Sequence, residues 1–87
     1  MVKVGDLLQM FYPGHGDWGL TYFAEVTYVE SCLNPNSKIE FNYLNREGRD
    51  KGHIRVSKLK RNLENGSVTI LGDYQFVGRT NFKHNFI

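Results

Sequence analysis

Seven cationic side chains fall within one short stretch, Arg46, Arg49, Lys51, Arg55, Lys58, Lys60 and Arg61, where only Glu47 and Asp50 oppose them. Clustered cations of this kind can contact phosphates, which makes nucleic acid a candidate partner through residues 46–61. The first 45 residues lean the other way, with Lys3 and Lys38 against Asp6, Asp17, Glu25, Glu30 and Glu40, so the net charge of the whole chain is only +2. A solvated strand and turn that keep a protein in solution would carry the same block, and charge alone does not choose between these readings.

Catalysis needs a nucleophile with a base, or paired acids in a setting that holds them. His15, His53 and His84 are distant from one another in sequence and from Cys32. His15 sits between two glycines, where a solvated turn residue is the ordinary reading. Asp6 is expected to brace a turn, and Asp17 belongs to a Gly-rich loop. No phosphate-binding glycine loop, His-x-x-x-His pair or Cys-x-x-Cys pair occurs. No enzyme, metal site or cofactor is therefore expected. Cys32 is the single cysteine, which rules out an intramolecular disulfide and reads as a partly buried thiol in a reducing cytoplasm. No apolar run approaches a membrane span, and MVKVGDLLQM lacks the unbroken apolar stretch of a signal peptide, so a cytoplasmic protein with no membrane partner is expected.

These side chains must be carried by short elements. The chain has 87 residues, two prolines and nine glycines, and its apolar residues alternate in brief runs separated by turn formers. That pattern predicts one small antiparallel β domain with a single core. The runs are Leu7 to Tyr12, Leu20 to Val29, Lys38 to Tyr43, Gly52 to Val56 and Ser67 to Leu71. In the second, Leu20, Tyr22, Ala24, Val26 and Tyr28 would share one face. Turns are expected at residues 13–17, at 45–48 and at Asn65-Gly66, with one helical turn at 57–61 anchored by Leu59. Gly72-Asp73 reads as a break, after which Tyr74, Phe76 and Val77 could add a short strand. The predicted core is Leu7 or Leu8, Met10, Ala24, Val26, Ile39, Phe41, Ile54, Val56, Leu59 and Val68.

The order of these pieces resembles the Tudor family of small bent barrels. Lys3-Val4-Gly5-Asp6 is similar to the Gly-Asp that opens the first strand of such domains. Tyr22-Phe23-Ala24-Glu25-Val26 resembles the second strand, Lys38-Ile39-Glu40-Phe41-Asn42-Tyr43 the third, and Val56-Ser57-Lys58-Leu59 the fourth with its closing turn. The resemblance covers residues 3 to about 59. It implies an SH3-like, five-stranded bent barrel, over residues 1–71, with residues 72–87 as a C-terminal extension packed on it or loose. It also implies an aromatic end built from Tyr12, Tyr22 and Phe41, with Tyr43 near the place of a fourth ring and Trp18 in the adjoining turn.

The expected function is that of a non-enzymatic binding module, a small regulator or inhibitor that docks on a larger protein or complex through the aromatic end. A chain opening at Met with little outside the barrel suits a whole small gene product. Eight asparagines suit an AT-rich genome such as a bacteriophage's. Two rival readings stand beside it. One is nucleic-acid binding through residues 46–61, and the other is a reader of methylated lysine or arginine, because ring faces attract a weakly hydrated cation.

Overall fold

The structure is a computed structural model that describes residues 2–12 and 20–77. His15, Asp17, Trp18 and His84 lie outside the described residues, as do the turn at 13–17 and the end of the C-terminal extension. Among the described residues five strands form one open antiparallel sheet: β1 (Asp6–Tyr12), β2 (Leu20–Val29), β3 (Lys38–Tyr43), β4 (Lys51–Arg55) and β5 (Val68–Asp73), in the order β4-β3-β2-β1-β5. Helix α1 (Val56–Glu64) lies between β4 and β5 in sequence, and a short α2 (Tyr74–Val77) follows β5.

Alternation builds the core. Ile39 and Phe41 are buried while Lys38 is exposed, and Met10, Ala24 and Val26 supply the neighbouring strands. Val56, Leu59 and Val68 close the same cluster. Ile54 packs against it only partly buried, and Val2 joins it although no strand carries that residue. Leu7 and Leu8 are both fully buried. Only Leu8 belongs to the core cluster, and the register shift beside them lies in β5, where Leu71 is an extra residue opposite the Leu7–Leu8 step, while β1 pairs with β2 without a shift.

A second shift corrects the expected face of β2. Val26 pairs with Phe41, but Tyr28 and Val29 pair with Glu40 and Ile39, so Thr27 is an extra residue in the ladder. Beyond it the phase reverses. Val29 packs on the core and Tyr28 is turned out, 46% exposed. Val56 also departs from its expected strand position, since it opens α1 while remaining buried.

The helical turn expected at 57–61 is a nine-residue helix. Val56, Leu59 and Leu63 recur at helical spacing and place one stripe on the core. Its N-cap, Arg55, makes no side-chain cap. Instead the Val56 and Ser57 N–H groups donate to the Ser37 and Pro35 carbonyls, at 3.0 Å each, which satisfies donors a helix start leaves open. The loop before β3 thus fixes the direction in which α1 leaves β4.

β5 runs through the break expected at residues 72 and 73, and Asp73 pairs with Asp6 at its end. The expected strand at 74–77 is instead helical. Asp73 Oδ1 accepts the Gln75 N–H at 2.8 Å, the geometry with which an aspartate starts a helical turn. Where β1 begins, Gly5 N–H donates to the Val26 carbonyl and the Gly5 carbonyl accepts from Tyr74 N–H, both at 2.8 Å. Asp6 is buried there and holds Lys3 through both its backbone N–H and its Nζ, at 2.9 and 2.8 Å. That hydrogen bond, with the opposite charge behind it, raises the Lys3 pKa, although partial desolvation works against the shift. Among the described residues no helix is long and apolar enough to cross a membrane.

Candidate binding site at the aromatic end

The far end of β1 gathers rings from three strands. Tyr12 ends β1, Tyr22 lies near the start of β2, and Tyr43 ends β3. The Tyr12 and Tyr22 rings are 5.6 Å apart and tilted, and Tyr22 meets Tyr43 edge-on at 5.9 Å. Tilted and edge-to-face contacts set the positive rim of one ring against the negative face of another. Phe41 stands behind this group, perpendicular to Tyr43 at 5.2 Å, and is only 2% exposed. It belongs to the core, and Tyr43, the fourth position by resemblance, supplies the third wall.

Gly52 makes room for that arrangement. It pairs with Phe41 across β3 and β4, and a Cβ there would lie 2.6 Å from the Phe41 ring and 3.0 Å from Tyr43. Only a residue without a side chain lets both rings lie across the neighbouring strand.

The space among the three tyrosines is taken by the chain itself. The Arg46 guanidinium carbon lies 4.8 Å from the Tyr22 ring centre, 5.0 Å from Tyr43 and 5.6 Å from Tyr12, each within the range of cation–π attraction. Asn45 sets up this position. Its Oδ1 accepts the Phe23 N–H at 2.7 Å and its Nδ2 donates to the Thr21 carbonyl at 3.3 Å, pinning the β3–β4 hairpin onto the start of β2. Leu44 N–H adds a bond to the Phe23 carbonyl at 2.8 Å. The loop then turns back through Gly48, whose φ of 79° is a left-handed value that suits glycine.

The polar atoms form a chain. Arg46 can only donate, and its Nη1 reaches the Tyr43 hydroxyl at 3.1 Å. The Tyr43 and Tyr12 hydroxyls lie 3.2 Å apart, where either can donate, and the Tyr12 hydroxyl also lies 3.8 Å from the Met10 sulfur. Burial, followed by the hydrogen bond to Tyr43, pushes the Tyr12 pKa up to about 12, although the Arg46 charge pulls it the other way.

Beside the rings lies a cavity of about 500 Å³, within the range of ligand sites of roughly 300 to 1,000 Å³. Tyr12, Phe41 and Tyr43 line one part of it, and His53, Arg55 and Lys58 another. Both edges of the sheet reach it, β4 through residues 53–55 and β5 through Val68. In a flat sheet these edges would stand about 19 Å apart at the usual strand spacing. The sheet is therefore strongly coiled.

The sequence treats the aromatic end and the basic segment as separate candidates, and the structure joins parts of both. Arg46 lies among the rings, while Arg55 and Lys58 line the cavity. Arg49, Lys51, Lys60 and Arg61 are exposed and do not line it. Trp18 lies outside the described residues. Sequence reasoning missed Asn45 as a brace and Arg46 as an occupant of the ring cluster. The adjacency of Asn45 and Arg46 to a predicted hairpin is the only signal that could have suggested either.

The chain matches no known protein family, no curated protein and no solved structure.

Proposed function

We propose that this protein is a non-enzymatic binding module, a small regulator or inhibitor that docks on a larger protein through the surface made by Tyr12, Tyr22, Tyr43 and Arg46. The observation that carries this reading is an arginine held against three half-buried tyrosines at one end of the sheet. Tyrosine and arginine are over-represented among residues that dominate binding energy, and rigid rings lose little entropy on contact. The finer reading of the coiled five-stranded sheet as an SH3-like, Tudor-like barrel belongs with this proposal, supported by the gathering of rings from β1, β2 and β3 at one end. A methylated cation is the less favoured ligand, because Arg46 already covers the ring faces and repels a second positive charge.

The test is capture from the native host's lysate with the tagged protein, with and without nuclease, beside Tyr22→Ala and Arg46→Ala. Partners that survive nuclease and weaken by about 1 kcal/mol or more in each variant are expected, as truncated anchors usually show. Loss of every partner to nuclease, or undiminished capture by both folded variants, overturns the reading.

A further inference from the structure

The register of β4 shows which of its backbone groups are spent. Tyr43 N–H donates to the Asp50 carbonyl at 2.7 Å and Val56 N–H to the Ser37 carbonyl at 3.0 Å. Between these two points β3 and β4 pair without a shift, Asn42 with Lys51 through Lys38 with Arg55. Bonded and unbonded pairs alternate along an antiparallel ladder, so Gly52 and Ile54 bond to β3. The N–H and C=O of Lys51 and His53, and the N–H of Arg55, therefore point away from β3 toward the open edge. β5 is arranged likewise. Phe11 N–H donates to the Ser67 carbonyl at 2.7 Å, and the pairing of Met10 with Val68 turns the Val68 backbone outward.

The cavity lies between these two edges and touches His53, Arg55 and Val68. Among the described residues the space beside the β4 edge is thus open and not filled by α1. Among the described residues its cations are Arg55, whose Nη1 donates to the Asn36 carbonyl at 3.1 Å, and Lys58 on α1, and no aspartate or glutamate lines it.

We infer that this groove accepts an extended, acidic segment of a partner protein, which adds to the β4 edge as a sixth strand. Three observations select that occupant. Donors and acceptors alternate along the edge, which matches a peptide backbone, whereas a phosphate chain could use only the donors. The charge that the described residues place along the groove is positive and uncompensated. Successive side chains of a strand point to opposite sides, so one set would meet the apolar lining at Ile54 and Val68 while the other reaches Lys58. A second copy of this edge is a poor occupant, because Lys51, His53 and Arg55 would face their own kind, as basic edge strands do to prevent self-pairing. This inference goes beyond the docking surface proposed above: Tyr12 and Tyr43 border both, but the β4 edge and Lys58 that would hold the segment lie outside that surface.

The experiment titrates the isotope-labelled protein with a capped peptide alternating valine and glutamate over about eight residues, an ordinary strand length. Amide shifts and hydrogen exchange are followed residue by residue. The expected result is slowed exchange at His53 and Arg55. Binding should weaken about tenfold in Lys58→Glu, a loss typical of a reversed charge near the ligand, and should vanish when alternate peptide amides are N-methylated. Lys60→Glu, at an exposed cation that does not line the groove, should leave it unchanged. Three outcomes each overturn the inference: no slowing at His53 and Arg55 at up to about 1 mM peptide, a weak-binding limit; equal binding of the lysine-for-glutamate peptide; or stronger perturbation of the same amides by oligothymidylate, which would give the groove to single-stranded nucleic acid.

Discussion

At one end of β1 a lysine is bound to a buried carboxylate, and at the other an arginine lies against three tyrosine rings. The two ends treat a cation in different ways. Asp6 cancels the charge of Lys3 and also holds its backbone N–H, while Gly5 ties the corner to β2 and α2. Ring faces attract Arg46 but carry no net charge, so its positive charge remains available at the surface. Polar groups at the corner are consumed by the fold. At the aromatic end the charge of Arg46 is left, among the described residues, without a carboxylate against it. On the function proposed above, the first end serves stability and the second contact.

The sharpest way to break this comparison is to disturb the support beneath the rings. Gly52→Ala should lower stability by up to about 3 kcal/mol, the usual upper range for forcing atoms into a packed core, because its new Cβ would meet Phe41 at 2.6 Å. Urea unfolding reads this directly, and an unchanged midpoint would mean that the rings do not rest on Gly52. A smaller loss separates the two ends themselves. Asp6→Ala should cost about 2 kcal/mol, since bonds to a charged acceptor contribute roughly 1.5 to 3 and the exposed Lys3 ammonium adds little. Arg46→Ala should cost under about 1 kcal/mol in the same assay, as exposed cation–π contacts do. Equal losses from the two variants would erase the distinction.

How far the sequence discloses this arrangement depends on the distance over which each cause acts. Ile39, Phe41 and Tyr43 alternate cleanly with polar neighbours, and their face is readable because period two is a local property. The reversal after Thr27 is not, since Thr, Tyr and Val all suit strands and nothing local marks the extra residue. Tyr74 to Val77 has strand-forming composition, yet Asp73 starts a helical turn there once pairing with Asp6 has placed it. Arg46 reads as the first member of a charge block because six more cations follow it by Arg61. Its real neighbours are brought by the hairpin that Asn45 fastens to β2, a long-range contact without a sequence signature.

The smallest expected effect tests whether the hydroxyl chain at the aromatic end is as protected as its geometry requires. A free tyrosine ionises near pH 10, and Tyr12 is held at about 12 by burial and by its bond to Tyr43. Its neutral form is therefore favoured in the folded protein. The corresponding stability is complete below about pH 10, the unfolded value, and is lost as the pH rises toward 12. Absorbance of tyrosinate near 295 nm should show a late ionisation step, and Tyr12→Phe should remove it. Because Tyr12 keeps a substantial part of its surface in water, the loss of stability should be modest beside that from Asp6→Ala. Unfolding by urea at pH about 9 and pH about 11, on either side of the free-tyrosine value, should place the alkaline loss in the wild type and not in Tyr12→Phe. The Lys3 pair also weakens at alkaline pH, but it is present in both proteins and cancels in their difference. If Tyr12→Phe removes no late step, Tyr12 is open to water and the aromatic end is looser than the corner by more than its charge.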